Sequence, residues 1–145
     1  TVLPALTAFA AELATDGGRL PSSLLPSPAK GSACKRLNLF LRWMVRCDDV
    51  DPGGWDRVPR SKLLVPLDIH MYRSCLALGL TRRRHADMRT VLEVTAGFRA
   101  IAPEDPVRYD FTLAHLGVTH GWAKGSAWLL ELCSHASRPA DARGR

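Results

Sequence analysis

Apolar residues recur at helical spacing in several stretches of the chain, and polar or glycine-containing segments separate those stretches. No stretch shows the alternation of apolar and polar residues that is typical of a half-buried strand, and no segment is repeated. The pattern predicts an all-α helical bundle, with one domain over residues 1–136 and a disordered tail over residues 137–145. A chain of 145 residues is long enough to bury a core.

The predicted helices cover residues 2–14, 35–46, 68–79, 86–100, 105–117 and 121–135. Asp68 suits a helix start because its side chain can accept from the exposed N–H groups of the first turn, and the Asp105-Pro106 pair has the same property. The predicted apolar sides consist of Leu37, Phe40, Leu41, Met44 and Val45 in the second helix and of Ile69, Tyr72, Leu76 and Leu80 in the third. Five of these residues are expected to share one core: Leu37, Phe40, Leu41, Tyr72 and Leu76.

The chain is basic, with a net charge of +6 and a pI near 9.6, and sixteen of its twenty cations are arginine. In the second helix the cations are predicted to occupy the surface left by the apolar stripe: Lys35, Arg36, Arg42 and Arg46. The clusters of basic residues within 30–46 and 82–84 are candidate phosphate contacts. High arginine content also occurs in proteins that bind no nucleic acid, so charge alone leaves the partner open.

Residues 47–55 form an acidic loop that contains Asp48, Asp49 and Asp51. Its spacing does not fit a calcium-binding loop, so solvated carboxylates are favoured over a metal site, with Trp55 anchoring the loop against the core. Among the histidines, His115 and His120 lie five positions apart, which does not suit a pair of metal ligands on one helix turn. No metal is therefore expected.

The four cysteines, which have no CxxC spacing, favour buried free thiols in a reducing cytoplasm: Cys34, Cys47, Cys75 and Cys133. No apolar run reaches the length of a membrane span, and no membrane partner is expected. The chain has no phosphate-binding Walker loop, no dinucleotide glycine fingerprint and no GxSxG motif. These absences predict no cofactor and argue against kinase, oxidoreductase and hydrolase functions.

Two short motifs carry a family resemblance. Asp68-x-His70-x-x-Arg73, followed by Leu78-Gly79-Leu80, resembles the segment with the catalytic aspartate in helix-hairpin-helix (HhH-GPD) DNA glycosylases, the endonuclease III superfamily. Lys35-x-x-Asn38 resembles the helix that carries their catalytic lysine. Residues 31–117 are more closely similar to a bacterial family of hypothetical proteins with no assigned activity, a distant relative of these glycosylases.

The chain also departs from the glycosylase pattern. The segment in the place of the glycine-rich hairpin, residues 25–31, has Gly31 as its one glycine. Asp68 follows Lys35 by 33 positions, a longer connection than in endonuclease III and similar to that of archaeal oxidised-guanine glycosylases. The cysteine-rich loop of endonuclease III is missing, so no iron–sulfur cluster is expected. Glycosylases carry several helices before the hairpin, and we therefore expect this chain to be the C-terminal part of a longer protein.

The resemblance implies a base-excision enzyme that acts on DNA, with Lys35 as a Schiff-base nucleophile and Asp68 stabilising positive charge on the sugar. The substrate-binding residues that it implies are Asn38, His70, Arg73, Arg36 and Arg42. The structural alternatives are that Asp68 only caps its helix and that Lys35 is a solvated helix residue. Structural alternatives exist for three other residues as well. His70 can make a structural hydrogen bond, Arg73 can stabilise the loop, and Asn38 can hydrogen-bond to a neighbouring loop.

Two further classes of function stay open. One is a non-catalytic relative that kept the fold and the charge to bind nucleic acid. The other is an all-α interaction module with no role on DNA.

Overall fold

The computed structural model describes residues 1–15 and 26–119. These two ranges contain five helices, α1 Leu3–Thr15, α2 Lys35–Val45, α3 Ile69–Ala77, α4 Met88–Ile101 and α5 Asp110–Thr119, and two short 3-10 helices, Pro28–Lys30 and Arg60–Lys62. Within them β-pairing is limited to two isolated bridges, so the predicted all-α class is confirmed. The predicted helix over residues 121–135 and the tail lie outside the described residues.

The core forms where α4 packs against an extended, fully buried segment, residues 63–67. The inward side of α4 carries Val91, Val94 and Phe98 at helical spacing. A buried extended segment must find partners for its backbone, and the N–H of Val65 donates to Oγ1 of Thr95 at 3.1 Å. This bond fixes the extended segment on α4, and the segment leads directly into α3.

The start and stop of α3 follow from local sequence, as predicted. Oδ1 of Asp68 accepts from the N–H of Met71 at 2.8 Å, which makes Asp68 the N-cap. At the other end Gly79 has φ 71°, the left-handed conformation that glycine adopts without strain. The N–H of Leu80 then reaches the carbonyl of Cys75 at 2.9 Å, which closes the helix in a Schellman turn.

The predicted inward side of α3 was wrong for two of its four residues. Tyr72 and Leu80 pack partly buried against the core, but Ile69 and Leu76 are exposed, and the helix buries Met71, Ser74 and Cys75 most deeply. Both sets have helical spacing, so periodicity does not distinguish them. The choice is made by α5, which packs on α3 and whose Leu113 carbonyl lies 3.5 Å from Oγ of Ser74.

The prediction for α2 was also wrong in its arginines. Phe40 is exposed, whereas Leu37 and Leu41 pack partly buried against the core, as does Tyr72 of α3. The most deeply buried side of α2 is polar and carries Asn38 and Arg42. A buried guanidinium needs carboxylate partners, and these come from distant parts of the chain, as described below.

Helix α5 begins at Asp110 rather than at the predicted Asp105-Pro106 pair. Turns occupy the residues between them, and Oδ2 of Asp105 accepts from Nε of Arg46 at 2.9 Å. Cys34 and Cys75 are buried, as expected. The expectation was wrong for Cys47, which is exposed, and Cys133 lies outside the described residues.

None of the helices in the described ranges has the length and apolar character needed to cross a membrane.

Candidate active site

A cleft of about 300 Å³ opens between α2, α5 and the N-terminus of α3. Four of its lining side chains are ionisable: Lys35, Arg42, Asp68 and Asp110. The rest of its wall is mostly apolar and includes Leu39, Trp43, Val50, Pro66, Phe111 and Ala114. We call this space the Lys35–Asp68 cleft. It brings together the two residues that the sequence motifs single out as nucleophile and carboxylate.

Lys35 is the first residue of α2, and the turn before it is held tightly. Cys34 adopts φ 48°, an uncommon conformation for a residue with a side chain. Its N–H donates to Oγ of Ser32 at 3.2 Å, and Nδ2 of Asn38 donates to the carbonyl of Ala33 at 3.1 Å. These bonds fix the path of the chain into the helix and therefore the position from which the Lys35 side chain enters the cleft.

Asp68 stands at the point where the buried extended segment ends and α3 begins. One carboxylate oxygen is used as the helix cap, through the bond to Met71. The residue is only partly buried, and it lines the cleft beside Pro66. Capping and a role in the cleft are therefore compatible, because a carboxylate has two oxygens.

Asp110 is the carboxylate that the sequence reasoning missed. It is 4% exposed, and Oδ2 accepts from Nη1 of Arg42 at 2.6 Å. Its Oδ1 has no hydrogen-bond partner among the described residues. Burial raises the pKa of Asp110 to about 6; attraction by Arg42 and Lys35 opposes this rise, and repulsion by Asp68 adds to it. A carboxyl group whose pKa lies near neutrality can gain and lose a proton under ordinary conditions, and Asp110 lines the same cleft as Lys35.

Arg42 is held in a buried ion-pair network rather than in solvent. Its Nε donates to Oδ2 of Asp51 at 3.1 Å, and the same oxygen accepts from Nη1 of Arg46. Arg46 in turn pairs with Asp105 at 2.9 Å and with Asp48 at 2.8 Å. The expectation of a fully solvated acidic loop was wrong for Asp51, whose side chain is completely buried.

The network also changes the role expected for Arg42. Two of its guanidinium nitrogens are engaged by Asp51 and Asp110, and Nη2 has no hydrogen-bond partner within the described ranges. Arg42 therefore organises one wall of the cleft. The loop carrying Asp51 is tied to α2 a second time, because the N–H of Trp55 donates to the carbonyl of Met44 at 2.7 Å and its ring packs edge-on against Phe40.

Two exposed aromatic side chains belong to the cleft. Trp43 comes from α2 and is 43% exposed, and Phe111 comes from α5 and is 49% exposed. Phe111 stacks on His115, with the ring planes within 11°, and the Arg42 guanidinium lies 5.9 Å from the Phe111 ring centre. Exposed flat rings beside charged groups can bind a planar partner by stacking.

The other residues that the resemblance implied lie outside the cleft. Asn38 is buried at the turn before α2, which fits the bracket alternative. Arg36 and Arg73 are exposed, and His70 is partly buried in the first turn of α3. In the basic cluster of residues 82–84, Arg83 donates to Oδ2 of Asp87, the N-cap of α4, at 2.9 Å. The described ranges hold no group of three or more side chains suited to a metal ion.

The position of Asp110 at the start of a helix could have been noticed in the sequence, but the predicted helix start at Asp105 led away from it. A helix that starts at Asp105 places Asp110 in its second turn, where an aspartate is read as a solvated residue. A helix that starts at Asp110 puts the carboxylate in its first turn, at the positive end of the helix dipole, which favours a negative charge. Its partner Arg42 is 68 positions away, and helical periodicity carries no information about such a pair.

The fold and the cleft define an all-α protein in which one lysine, one arginine and two aspartates surround a single space. The chain belongs to a family described as a protein of unknown function (DUF2400), whose model matches residues 1–119. The match includes all five helices and every residue that lines the cleft. No curated protein and no solved structure matches the chain.

Proposed function

We propose that this protein is a base-excision protein similar to the helix-hairpin-helix DNA glycosylases, with abasic-site lyase activity through Lys35. The observation that carries the proposal is the shared cleft of Lys35 and Asp68, which are 33 positions apart in sequence. An amine and a carboxylate at one cavity are the two groups that cleavage of an N-glycosidic bond through a Schiff base requires.

The division of roles follows from the surroundings of each group. The Lys35 amine attacks the anomeric carbon of the deoxyribose, and Asp68 stabilises the positive charge that develops on the sugar. Asp68 suits this role because its cap bond fixes its position and its partial burial keeps it open to the cleft. Its cap bond uses Oδ1, so Oδ2 is the oxygen that we assign to the sugar.

The walls of the cleft support a flat ligand. An extruded base must be held by stacking and by polar contacts at its edge. Trp43 and Phe111 supply exposed aromatic surface on two different helices, and the cleft volume of about 300 Å³ leaves room for a planar heterocycle. We assign Trp43 and Phe111 to contact with the base.

The test is reductive trapping of a covalent complex between the full chain and duplex DNA with an abasic site. Borohydride reduces the Schiff base and should give one stable adduct, which Lys35→Gln abolishes while DNA binding persists. Lys62→Gln is the matched control, since Lys62 is an exposed lysine outside the cleft. Equal trapping by Lys35→Gln and by the unmodified chain would refute the role of Lys35.

The second candidate is a nucleic-acid-binding protein without catalysis. The observation that favours it is a surface next to the start of α4, where Arg82, Arg84 and Arg89 are exposed and the Gly31 carbonyl accepts from the N–H of Met88 at 2.9 Å. This bond brings exposed Lys30 near the same surface. Salt-sensitive DNA binding without any adduct would establish this candidate and exclude the enzyme.

A further inference from the structure

We propose that Asp110 is the proton acceptor and donor for Lys35 in the Schiff-base reaction, an inference that rests on the proposed function. The resemblance assigns the chemistry to Lys35 and Asp68 alone. The structure adds a third ionisable side chain that approaches the same cleft from another helix. Asp110 is buried, it has one oxygen without a partner among the described residues, and it interacts electrostatically with both Lys35 and Asp68.

Asp110 is better suited than Asp68 to move a proton. Each carboxylate has one oxygen bonded within the protein, Oδ1 of Asp68 by the N–H of Met71 and Oδ2 of Asp110 by Arg42, but Asp68 is only partly buried whereas Asp110 is 4% exposed and its Oδ1 has no hydrogen-bond partner in the described part of the chain. The Oδ2 of Asp110 is held by Arg42, which fixes the carboxyl group in one orientation. Burial raises its pKa to about 6, so the group gains or loses a proton close to neutral pH.

The proton movements balance for condensation with the aldehyde of an abasic site. Lys35 starts as ammonium and Asp110 as carboxylate, and transfer of one proton gives a free amine and a neutral carboxylic acid. The amine nitrogen bonds to the aldehyde carbon, and a second proton moves from nitrogen to the former carbonyl oxygen. The Asp110 acid then protonates that hydroxyl group, the C–O bond breaks and water leaves. The products are an iminium on Lys35 and the restored Asp110 carboxylate.

The charged groups around Asp110 define the expected pH dependence. Arg42 and Lys35 face it from α2, Asp68 from the N-cap of α3, and Cys75 from within α3. Burial, and then the Asp110 charge, raise the pKa of Cys75 to about 12, so this thiol does not titrate near neutrality. The remaining titratable side chain in the described part of α5 is His115, whose ring stacks on that of Phe111.

The experiment measures the rate of adduct formation between the full chain and abasic-site duplex from pH 5 to pH 8. Cyanoborohydride is the trapping reagent, because it reduces iminium ions over this range. The unmodified chain should show a rate that rises through about pH 6. Asp110→Asn should slow trapping by about 100-fold or more at pH 7.5 and should remove the rise near pH 6. Its DNA affinity should stay within about threefold, since Asp110 makes no phosphate contact in this scheme.

Three variants serve as controls. Asp105→Asn removes another carboxylate from a buried arginine pair but lies outside the cleft, so it should keep both the rate and the pH profile. His115→Gln should also keep the rise near pH 6. Asp110→Glu retains a titrating carboxyl group and should shift the rise rather than abolish it, and it provides a second test if Asp110→Asn does not fold.

The outcomes separate the two proposals. If the unmodified chain binds the duplex but forms no adduct at any pH, the proposed function fails and the role of Asp110 fails with it. If the unmodified chain is trapped through Lys35 and Asp110→Asn is trapped at the same rate with the same profile, only the role of Asp110 is overturned. A slower Asp110→Asn reaction that keeps the rise near pH 6 also overturns it, because another group then accepts the proton.

Discussion

Replacing Asp110 with asparagine should stabilise the protein at neutral pH, although it removes one partner of a buried ion pair. The reason is that burial disfavours the charged carboxylate more than Arg42 favours it, so the pKa is raised from the ordinary 3.8 to about 6. Asparagine resembles the neutral acid in shape and can still accept a hydrogen bond from Arg42. The substitution thus removes a buried negative charge that lowers the free energy of unfolding.

The magnitude follows from the difference between the titrations of the folded and unfolded states. Below pH 3.8 the carboxyl group is neutral in both states and contributes nothing. Between pH 3.8 and about 6 the folded protein binds more protons than the unfolded chain, so the free energy of unfolding falls as the pH rises. Above about pH 6 the loss is complete. A difference of about two pH units corresponds to roughly 3 kcal/mol.

The assay is urea unfolding at several pH values between 3.5 and 8, followed by tryptophan fluorescence. The free energies of unfolding of Asp110→Asn and the unmodified chain should agree near pH 3.5, and the variant should be more stable by about 3 kcal/mol above pH 7. Loss of stability in the variant at pH 7.5 would refute the reasoning. That result would mean that the attraction to Arg42 outweighs desolvation, and that Asp110 is a structural ion-pair partner.

Two other substitutions test neighbouring carboxylates by the same unfolding measurement. Asp51→Asn should destabilise the protein by roughly 3–5 kcal/mol at neutral pH, because it removes the negative charge that the two buried guanidinium groups of Arg42 and Arg46 share; an effect below about 1 kcal/mol would contradict this role of Asp51. Asp68→Asn should cost about 1 kcal/mol or less through a weaker helix cap, and it should also slow base release; slower release with unchanged stability would assign Asp68 to chemistry alone.

The helix boundaries were predictable where local sequence sets them. Asp68 caps α3 and Gly79 ends it through interactions within a few residues, and each needs only its neighbours to form. The start of α5 was predicted wrongly. Asp105 has the sequence of a helix cap, but turns follow it, and its carboxylate pairs with Arg46, a contact across 59 positions that the local sequence does not show.

The choice of buried side was likewise beyond local reasoning. Helix α2 offers an apolar stripe with Phe40 and a polar stripe with Asn38 and Arg42, and the structure buries the polar one most deeply. A prediction from apolar periodicity places the stripe with Phe40 inside, because burying the charged Arg42 is unfavourable when it has no partner. The prediction does not include the carboxylates that compensate for this burial. Those carboxylates, Asp51 and Asp110, reach Arg42 only after the chain has folded.

The sequence by itself determined the all-α class and most helix starts and stops. Its two motifs also singled out Lys35 and Asp68 as the candidate nucleophile and carboxylate. These depend on spacing and side-chain type within one or two turns of helix. The tertiary structure alone decided that Lys35 and Asp68 line one cleft, that Arg42 is buried, and that Asp110 joins them. Contacts between residues far apart in the chain depend on how helices pack, and burial then changes the chemistry of a side chain such as Asp110 in a way that its neighbours in sequence do not reveal.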